Sequence, residues 1–309
     1  MLVRKGLYRV RVEWFTMAAQ IELDALGHRL FAKAFNEDKK GTPVVFMHGI
    51  TASINFWEPI QVPIFRERFR WYSLSLPGHY PATLPPDFQT ESLTGKMVIE
   101  VLGEAIRKLT GEKPAILAGH STGGFAAVGI AGRYPDLVAG MISISGFVQG
   151  RWKGALGLLQ ILASLGPLGP WLFRTSFRAL LSQHSIYRLA ASLYAKDRRA
   201  LYSYPNFDSI FDAVYRDAQK IRADNIFHYF KRLPEINISN VLHLISVPTL
   251  VISGDSDPIV PTNQSCIISD KVQKSELYIL KGAGHLPMYE RAKEYNAVIK
   301  NWVGKHPFE

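Results

Sequence analysis

The sequence predicts an α/β fold: a mostly parallel central sheet flanked by helices, with a helical segment inserted between two of its strands. Three observations carry that prediction. Short runs rich in Val, Ile, Leu and aromatic residues recur along the chain, nearly continuous rather than alternating, and each ends in Gly or polar residues. That is the pattern of strands covered on both faces. Helical patterns lie between these runs, and strand–helix alternation implies right-handed crossovers and parallel pairing. Between about Phe147 and Val247 the alternation stops and only helical patterns remain.

In chain order, "IELDALGHRLFAKAF" places two alternating runs around a Gly turn and reads as a β-hairpin. Six buried strands follow, at 43–49, 70–78, 114–120, 137–146, 248–255 and 276–284. A helix is expected over 90–111, with Thr, Ser and Glu near its start and Gly after its last basic residues. A second over 122–135 ends before Pro135, and a third over 287–304 opens with Pro and closes with Gly. The expected organisation is an N-terminal extension at 1–18, a core at 19–146 and 247–309, and a helical cap at 147–246. Residues before about Met17 read as an add-on, and Met17 itself as a candidate start.

Composition narrows the function. The chain has 309 residues, 47% hydrophobic and 20% charged, an ordinary globular balance. Its single cysteine, Cys266, excludes an intramolecular disulfide and any multi-cysteine metal site, and fits a reducing, cytoplasmic setting. Cys266 is expected in a helix as a small buried hydrophobe. No HExxH, CxxC pair, P-loop or EF-hand loop is present, so neither metal nor cofactor is expected. No apolar run reaches the ~18 residues of a membrane span, and basic residues interrupt the N-terminus where a signal peptide would need its apolar core. The formal charge of +10 is localised. Residues 1–16 carry four bases and one acid, 147–240 carry 13 bases and six acids, and the remainder is balanced. No helix-turn-helix, RRM or zinc-finger pattern accompanies the charge, which argues against nucleic acid. A mixed surface, an anionic substrate or peripheral contact with anionic lipid stay open.

The chemistry concentrates at "GHSTGG" (119–124). A G-x-S-x-G run between a strand and a helix forces a turn so sharp that residues two before and two after the serine crowd its backbone. Gly119 and Gly123 relieve that crowding. Ser121 then stands above the sheet, with the N–H of Thr122 at a helix N-terminus, facing an oxyanion. A serine hydroxyl also needs a base and an orienter for that base. "MHGI" follows the strand at 43–47 and can aim the Ile50 N–H at the same point, with His48 bracing the loop. "SGDSDPIVP" offers Asp255 and Asp257, and "GAGHLP" offers His285. All lie at C-terminal ends of expected parallel strands, where ligands bind open α/β sheets.

Taken together, H-G, G-H-S-T-G-G, G-x-x-D-x-x-x-P and G-H-x-P resemble the α/β-hydrolase superfamily, in its cap-containing serine esterase and lipase branch. The resemblance covers residues ~20–146 and ~247–304. It implies the α/β-hydrolase fold, with Ser121 as nucleophile, His285 as general base and then acid, and Asp257, not Asp255, orienting His285. Ile50 and Thr122 would form the oxyanion hole. One departure is visible: similar sequences often carry Asp ahead of L-P-G-x-G, where this chain has Ser75, and Tyr80 replaces the last Gly. His79 in that loop reads as structural or rim-lining. The resemblance implies a hydrolase for carboxylic esters of hydrophobic, acyl or lipid-like substrates. Thioester or C–C cleavage by the same triad, and a slow or non-catalytic ligand-binding protein, stay open. Phe56, Trp57 and His120 are expected to line the substrate pocket. The apolar stretch "GALGLLQILASLGPLGPWLF" (154–173) reads either as packing or as a lining for a long hydrophobic group, with "RWK" and "KDRR" as basic flanks. His184, His228 and His243 show no ligand spacing and read as structural or surface residues.

Overall fold

The computed structural model describes residues 18–308, so the extension read at 1–18 lies, but for its last residue, outside the described residues. The hairpin forms β1 (Ala19–Ala25) and β2 (His28–Phe35). The further strands are β3 (Val44–Met47), β4 (Trp71–Leu74), β5 (Ala115–His120), β6 (Val138–Ile144), β7 (Thr249–Gly254) and β8 (Ser275–Leu280). They make one sheet in the order β1-β2-β4-β3-β5-β6-β7-β8. The β1–β2 and β2–β4 pairs are antiparallel and every later pair is parallel. In register, Met47 sits between Leu74 and Gly119, so the loops after β3, β4 and β5 leave from one edge.

The core helices are α1 (Pro63–Arg68), α2 (Gly95–Thr110) and α3 (Thr122–Arg133). The segment between β6 and β7 holds α4 (Gly154–Ala163), α5 (Gly169–Ser182), α6 (His184–Ser192), α7 (Arg198–Tyr202), α8 (Phe207–Ala218) and α9 (Ala223–Arg232). Among the described residues it contributes no strand to the sheet; a single antiparallel bridge, Gln149 to Asn237, ties its two ends. The chain closes with α10 (Asn263–Lys271), α11 (Pro287–Glu290) and α12 (Ala292–Lys305). No single helix among the described residues is long and apolar enough to cross a membrane. The consecutive helices Gly154–Ala163 and Gly166–Ser182 pass together on length and composition alone, with a 113° bend between them.

Four local expectations are revised. The helix read at 90–111 begins only at Gly95, because the Thr94 hydroxyl accepts the Met97 N–H at 3.0 Å and fixes the start there; Thr90–Ser92 form a separate 3₁₀ turn. The helix read at 287–304 is broken at Arg291, whose guanidinium turns back to the carbonyls of Lys281 and Gly282. β8 is half-buried rather than covered on both faces, because it is one of the sheet's two edge strands. Cys266 lies in α10 as expected but is only partly buried.

Candidate active site

Ser121 sits between β5 and α3 with φ +54° and ψ −114°, a backbone conformation costing a non-glycine residue about 1–3 kcal/mol. Its surroundings impose that strain. The Ser121 N–H donates to Ile144 O at 2.9 Å, and its carbonyl accepts the Phe125 N–H at 2.9 Å. A Cβ on Gly119 would stand 2.1 Å from Gly123 O, and one on Gly123 would stand 2.2 Å from Met47 O. No side chain fits at either position, and β3, β5 and α3 converge there as closely as backbones can. The Ser121 hydroxyl is buried and, among the described residues, makes no hydrogen bond.

His285 follows β8 and is 2% exposed. Its Nδ1 donates to Asp257 Oδ2 at 2.7 Å. Asp257 Oδ1 accepts the N–H groups of Ile259 and Val260 at 2.8 and 2.9 Å, so the carboxylate is fixed by its own turn. Asp257 thereby holds His285 as the Nδ1–H tautomer and leaves Nε2 free to take a proton. Asp255 does something else: it is exposed, and its Oδ1 accepts the Gly282 N–H at 2.9 Å.

The loop after β3 faces the same point. His48 Nδ1 donates to Gly49 O at 2.8 Å while its Nε2 accepts the Leu76 N–H at 3.2 Å. Burial holds this imidazole neutral, with its pKa pushed down to about 4. The Gly49 carbonyl and the Ile50 N–H share one planar peptide, so fixing the carbonyl on His48 turns the Ile50 N–H the opposite way. Among the described residues neither the Ile50 N–H nor the Thr122 N–H is engaged by a protein acceptor. Asp217 of α8 secures the far side of this loop: it accepts the Ser53 hydroxyl at 2.6 Å and the Asn55 amide.

One cavity joins these groups. Gly49, Ile50, Ser121 and His285 form its floor, and Leu156, Tyr187, Ala191 and Phe211 of the insertion help roof it. No Lys, Arg, Asp or Glu lines it. A smaller cavity adjoins it between α4, α5 and α6, sharing Leu156 and Tyr187 and reaching Phe177 and Leu180. Of the expected pocket residues, Phe56 and His120 line the main cavity and Trp57 does not. Trp57 is 1% exposed and packs on Phe46, ring centroids 5.1 Å apart, and edge-on against Phe56 at 5.0 Å, so the Phe56 ring and not the indole lines the cavity. His120 Nε2 donates to His285 O at 2.8 Å, and burial beside His285 pushes its pKa down to about 3. His79 does not line the cavity: it is fully buried, bonds Pro77 O at 3.1 Å and has its pKa pushed down to about 3. Ser75, at the departure noted above, accepts the Phe31 N–H at 2.9 Å and joins the end of β4 to β2.

Besides Asp217, sequence reasoning missed a second carboxylate. Glu290 is 4% exposed. Its Oε2 accepts the N–H groups of Lys196 and Asp197 at 2.8 and 2.7 Å, its Oε1 that of Leu286 at 3.2 Å, and both oxygens share the Gly284 N–H at 3.0 Å. It therefore ties the residues on both sides of His285 to the α6–α7 linker. The His285 N–H adds a bond to Tyr194 O at 2.8 Å, and Arg291 pairs with Asp197 at 2.9 Å. A Cβ on Gly284 would lie 2.5 Å from Lys196 N, so this docking requires glycine there. A lone acid five residues after His285 was the only sequence signal. Among the described residues, no three His, Cys, Asp or Glu side chains group to hold a metal ion.

A family model described as the alpha/beta hydrolase fold matches residues 42–292. The chain is similar to the 2-hydroxy-6-oxo-6-(2'-aminophenyl)hexa-2,4-dienoic acid hydrolase of Metapseudomonas resinovorans, 24% identical over 271 residues, covering 85% of this chain and 84% of the relative. It is similar to a pimeloyl acyl-carrier-protein methyl ester esterase of Neisseria meningitidis serogroup A, 21% identical over 282 residues, covering 86% of this chain and 80% of the relative. Among solved structures, the enol-lactonase of Burkholderia xenovorans LB400 shares the fold with a TM-score of 0.73 and 14% identity, over 92% of this chain and 100% of that one.

Proposed function

The chain belongs to the α/β-hydrolase family, and from that premise we propose that it is a serine hydrolase cleaving carboxylic esters of hydrophobic acids. Ser121 is the nucleophile, His285 the general base and then acid, and Asp257 the group that orients His285. The observation that carries the reading is the Asp257–His285 bond at 2.7 Å, opening onto the same apolar cavity as the strained, unpartnered hydroxyl of Ser121. In this reading Ser121 Oγ attacks the ester carbonyl as His285 Nε2 takes its proton, and the Ile50 and Thr122 N–H groups receive the developing oxyanion. His285 then protonates the leaving alcohol, and water, activated by the same imidazole, hydrolyses the acyl-enzyme. The helical insertion acts as the cap over the acyl chain.

The lining favours a neutral, apolar substrate. A small anionic acid would need a cation beside its carboxylate, and the cavity offers none. The small cavity between α4, α5 and α6, which shares Leu156 and Tyr187 with the main one, marks the direction in which an acyl chain would extend. Each methylene that enters contributes up to about 0.8 kcal/mol, about fourfold in kcat/KM. A p-nitrophenyl ester series from acetate to dodecanoate should therefore rise steeply before it levels. A fluorophosphonate probe should label the protein and fail to label Ser121→Ala. Turnover or labelling retained in Ser121→Ala would overturn the assignment.

A further inference from the structure

The outer surface of the insertion is built the wrong way round for water. A surface helix turns its polar residues outward. In α4 the only polar side chain, Gln160, points inward, accepting the Trp152 N–H at 3.0 Å and donating to Gly150 O at 2.7 Å. Leu158 and Ile161 point outward, 57% and 61% exposed, and Leu165 continues their stripe past the helix end. Leu168 and Trp171 are exposed across the bend into α5, and Ile186, Leu189 and Leu193 repeat the pattern along α6. Eight of the twelve large hydrophobic residues exposed among the described residues thus fall between 158 and 193. Such a concentration on neighbouring helices marks an interaction face.

Charge selects the partner. From Leu137 to Lys196 the chain has six bases and no acid. Arg174 and Arg188 pair with Asp224 and Asp208. Lys153 and Arg178 are exposed. Arg178 lies seven residues after Trp171, on the same outward stripe of α5, and Lys153 precedes the first turn of α4. An apolar face with basic residues along it and no acid in its sequence complements a bilayer surface bearing anionic headgroups, with Trp171 at headgroup depth. A second copy of this face would instead bring like charges together. We propose that α4, α5 and α6 dock on an anionic lipid surface, lying in the interface rather than crossing it. The inner sides of these helices line the cavity through Leu156, Tyr187 and Ala191, so docking sets the bilayer over the proposed acyl site.

Co-flotation of the full chain with vesicles tests this without using turnover, so its failure is separable from failure of the esterase reading. Vesicles of phosphatidylcholine alone are compared with vesicles containing about a third phosphatidylglycerol. At low salt the wild type should partition at least tenfold better onto the anionic vesicles, with the preference shrinking toward 0.5 M NaCl as charges are screened. Ile161→Glu/Trp171→Glu should lose at least tenfold of that binding. Lys153→Glu/Arg178→Glu should lose the preference for anionic lipid. Both variants keep every residue lining the two cavities beside Ser121, and an unchanged circular-dichroism spectrum and thermal midpoint show that they fold. Equal binding to neutral and anionic vesicles, or undiminished binding by either variant, overturns the proposal. So does a wild-type dimer in sedimentation that Trp171→Glu dissolves, since a second copy would then be the occupant.

Discussion

Glu290 gives the sharpest test of how the proposed machinery is held, because an amide cannot replace it. One carboxylate oxygen accepts from Lys196 and Asp197, the other from Leu286, and the two share the Gly284 N–H. In Glu290→Gln, whichever way the amide turns, its NH₂ faces two backbone N–H donors. With the amide oxygen toward Lys196, Asp197 and the shared Gly284 N–H, the Leu286 bond is lost and the Gly284 bond weakened, at about 1.5–3 kcal/mol for a full charge-assisted bond, so stability should fall by about 2–4 kcal/mol. The amide oxygen gains most by keeping the closer pair, Lys196 and Asp197, which leaves the NH₂ pressing on the His285 loop. A displacement approaching 1 Å there should lower kcat about 10- to 100-fold. KM for a short ester should change little, since Glu290 does not line the cavity. Urea denaturation and steady-state kinetics with p-nitrophenyl acetate read both effects. A variant within 1 kcal/mol of wild type and within twofold in kcat would refute this reasoning.

Asp257→Asn should leave the fold intact and reduce kcat by about three to four orders of magnitude, because the asparagine amide stabilises the wrong imidazole tautomer; single-turnover kinetics would measure it. Gly123→Ala drives a methyl into Met47 O, and its thermal midpoint should fall by 10 °C or more if it accumulates at all. Asp217→Asn should lower kcat more than it raises KM, since it loosens the loop that carries Ile50; equal changes in both would show that it serves only substrate entry. Burial depresses the pKa of His48 to about 4 and of His79 and His120 to about 3. The unfolded chain takes up these protons first, so the stability they confer is complete above about pH 6.5. At pH 5 each should have forfeited about 2 kcal/mol, and the loss continues down to the folded values. A denaturation free energy flat between pH 7 and pH 5 would contradict neutral burial of all three.

Much of the fold was legible because its signals are local. Continuous apolar runs marked the parallel strands, and the G-x-S-x-G turn at Ser121 announces its own crowding, which the 2.1 and 2.2 Å approaches at Gly119 and Gly123 give in distances. Two candidate acids stand two residues apart in the sequence, and only three-dimensional packing separates them: Asp257 turns under the His285 imidazole, while Asp255 turns outward to Gly282. Adjacency to Phe56 does not place Trp57 on the cavity, because the Phe56 ring takes that position and the indole packs against Phe46. Glu290 and Asp217 escaped notice because their partners lie across the fold: Lys196 and Asp197 are 94 and 93 residues from Glu290, and Ser53 is 164 from Asp217. No periodicity encodes such pairings.

The docking of the α6–α7 linker against Gly284 also bears on how this chain could be re-engineered. The linker and α8 are bolted to the two loops that carry His285 and Ile50, whereas among the described residues no hydrogen bond ties α4 or α5 to either loop. On the proposed hydrolase reading, a donor segment could replace residues 155–182 as a cassette, with Gly154 kept because a Cβ there would stand 2.8 Å from Pro258 O; one extending through Tyr194, Lys196 or Asp217 would unseat the His285 imidazole or the loop that carries Ile50.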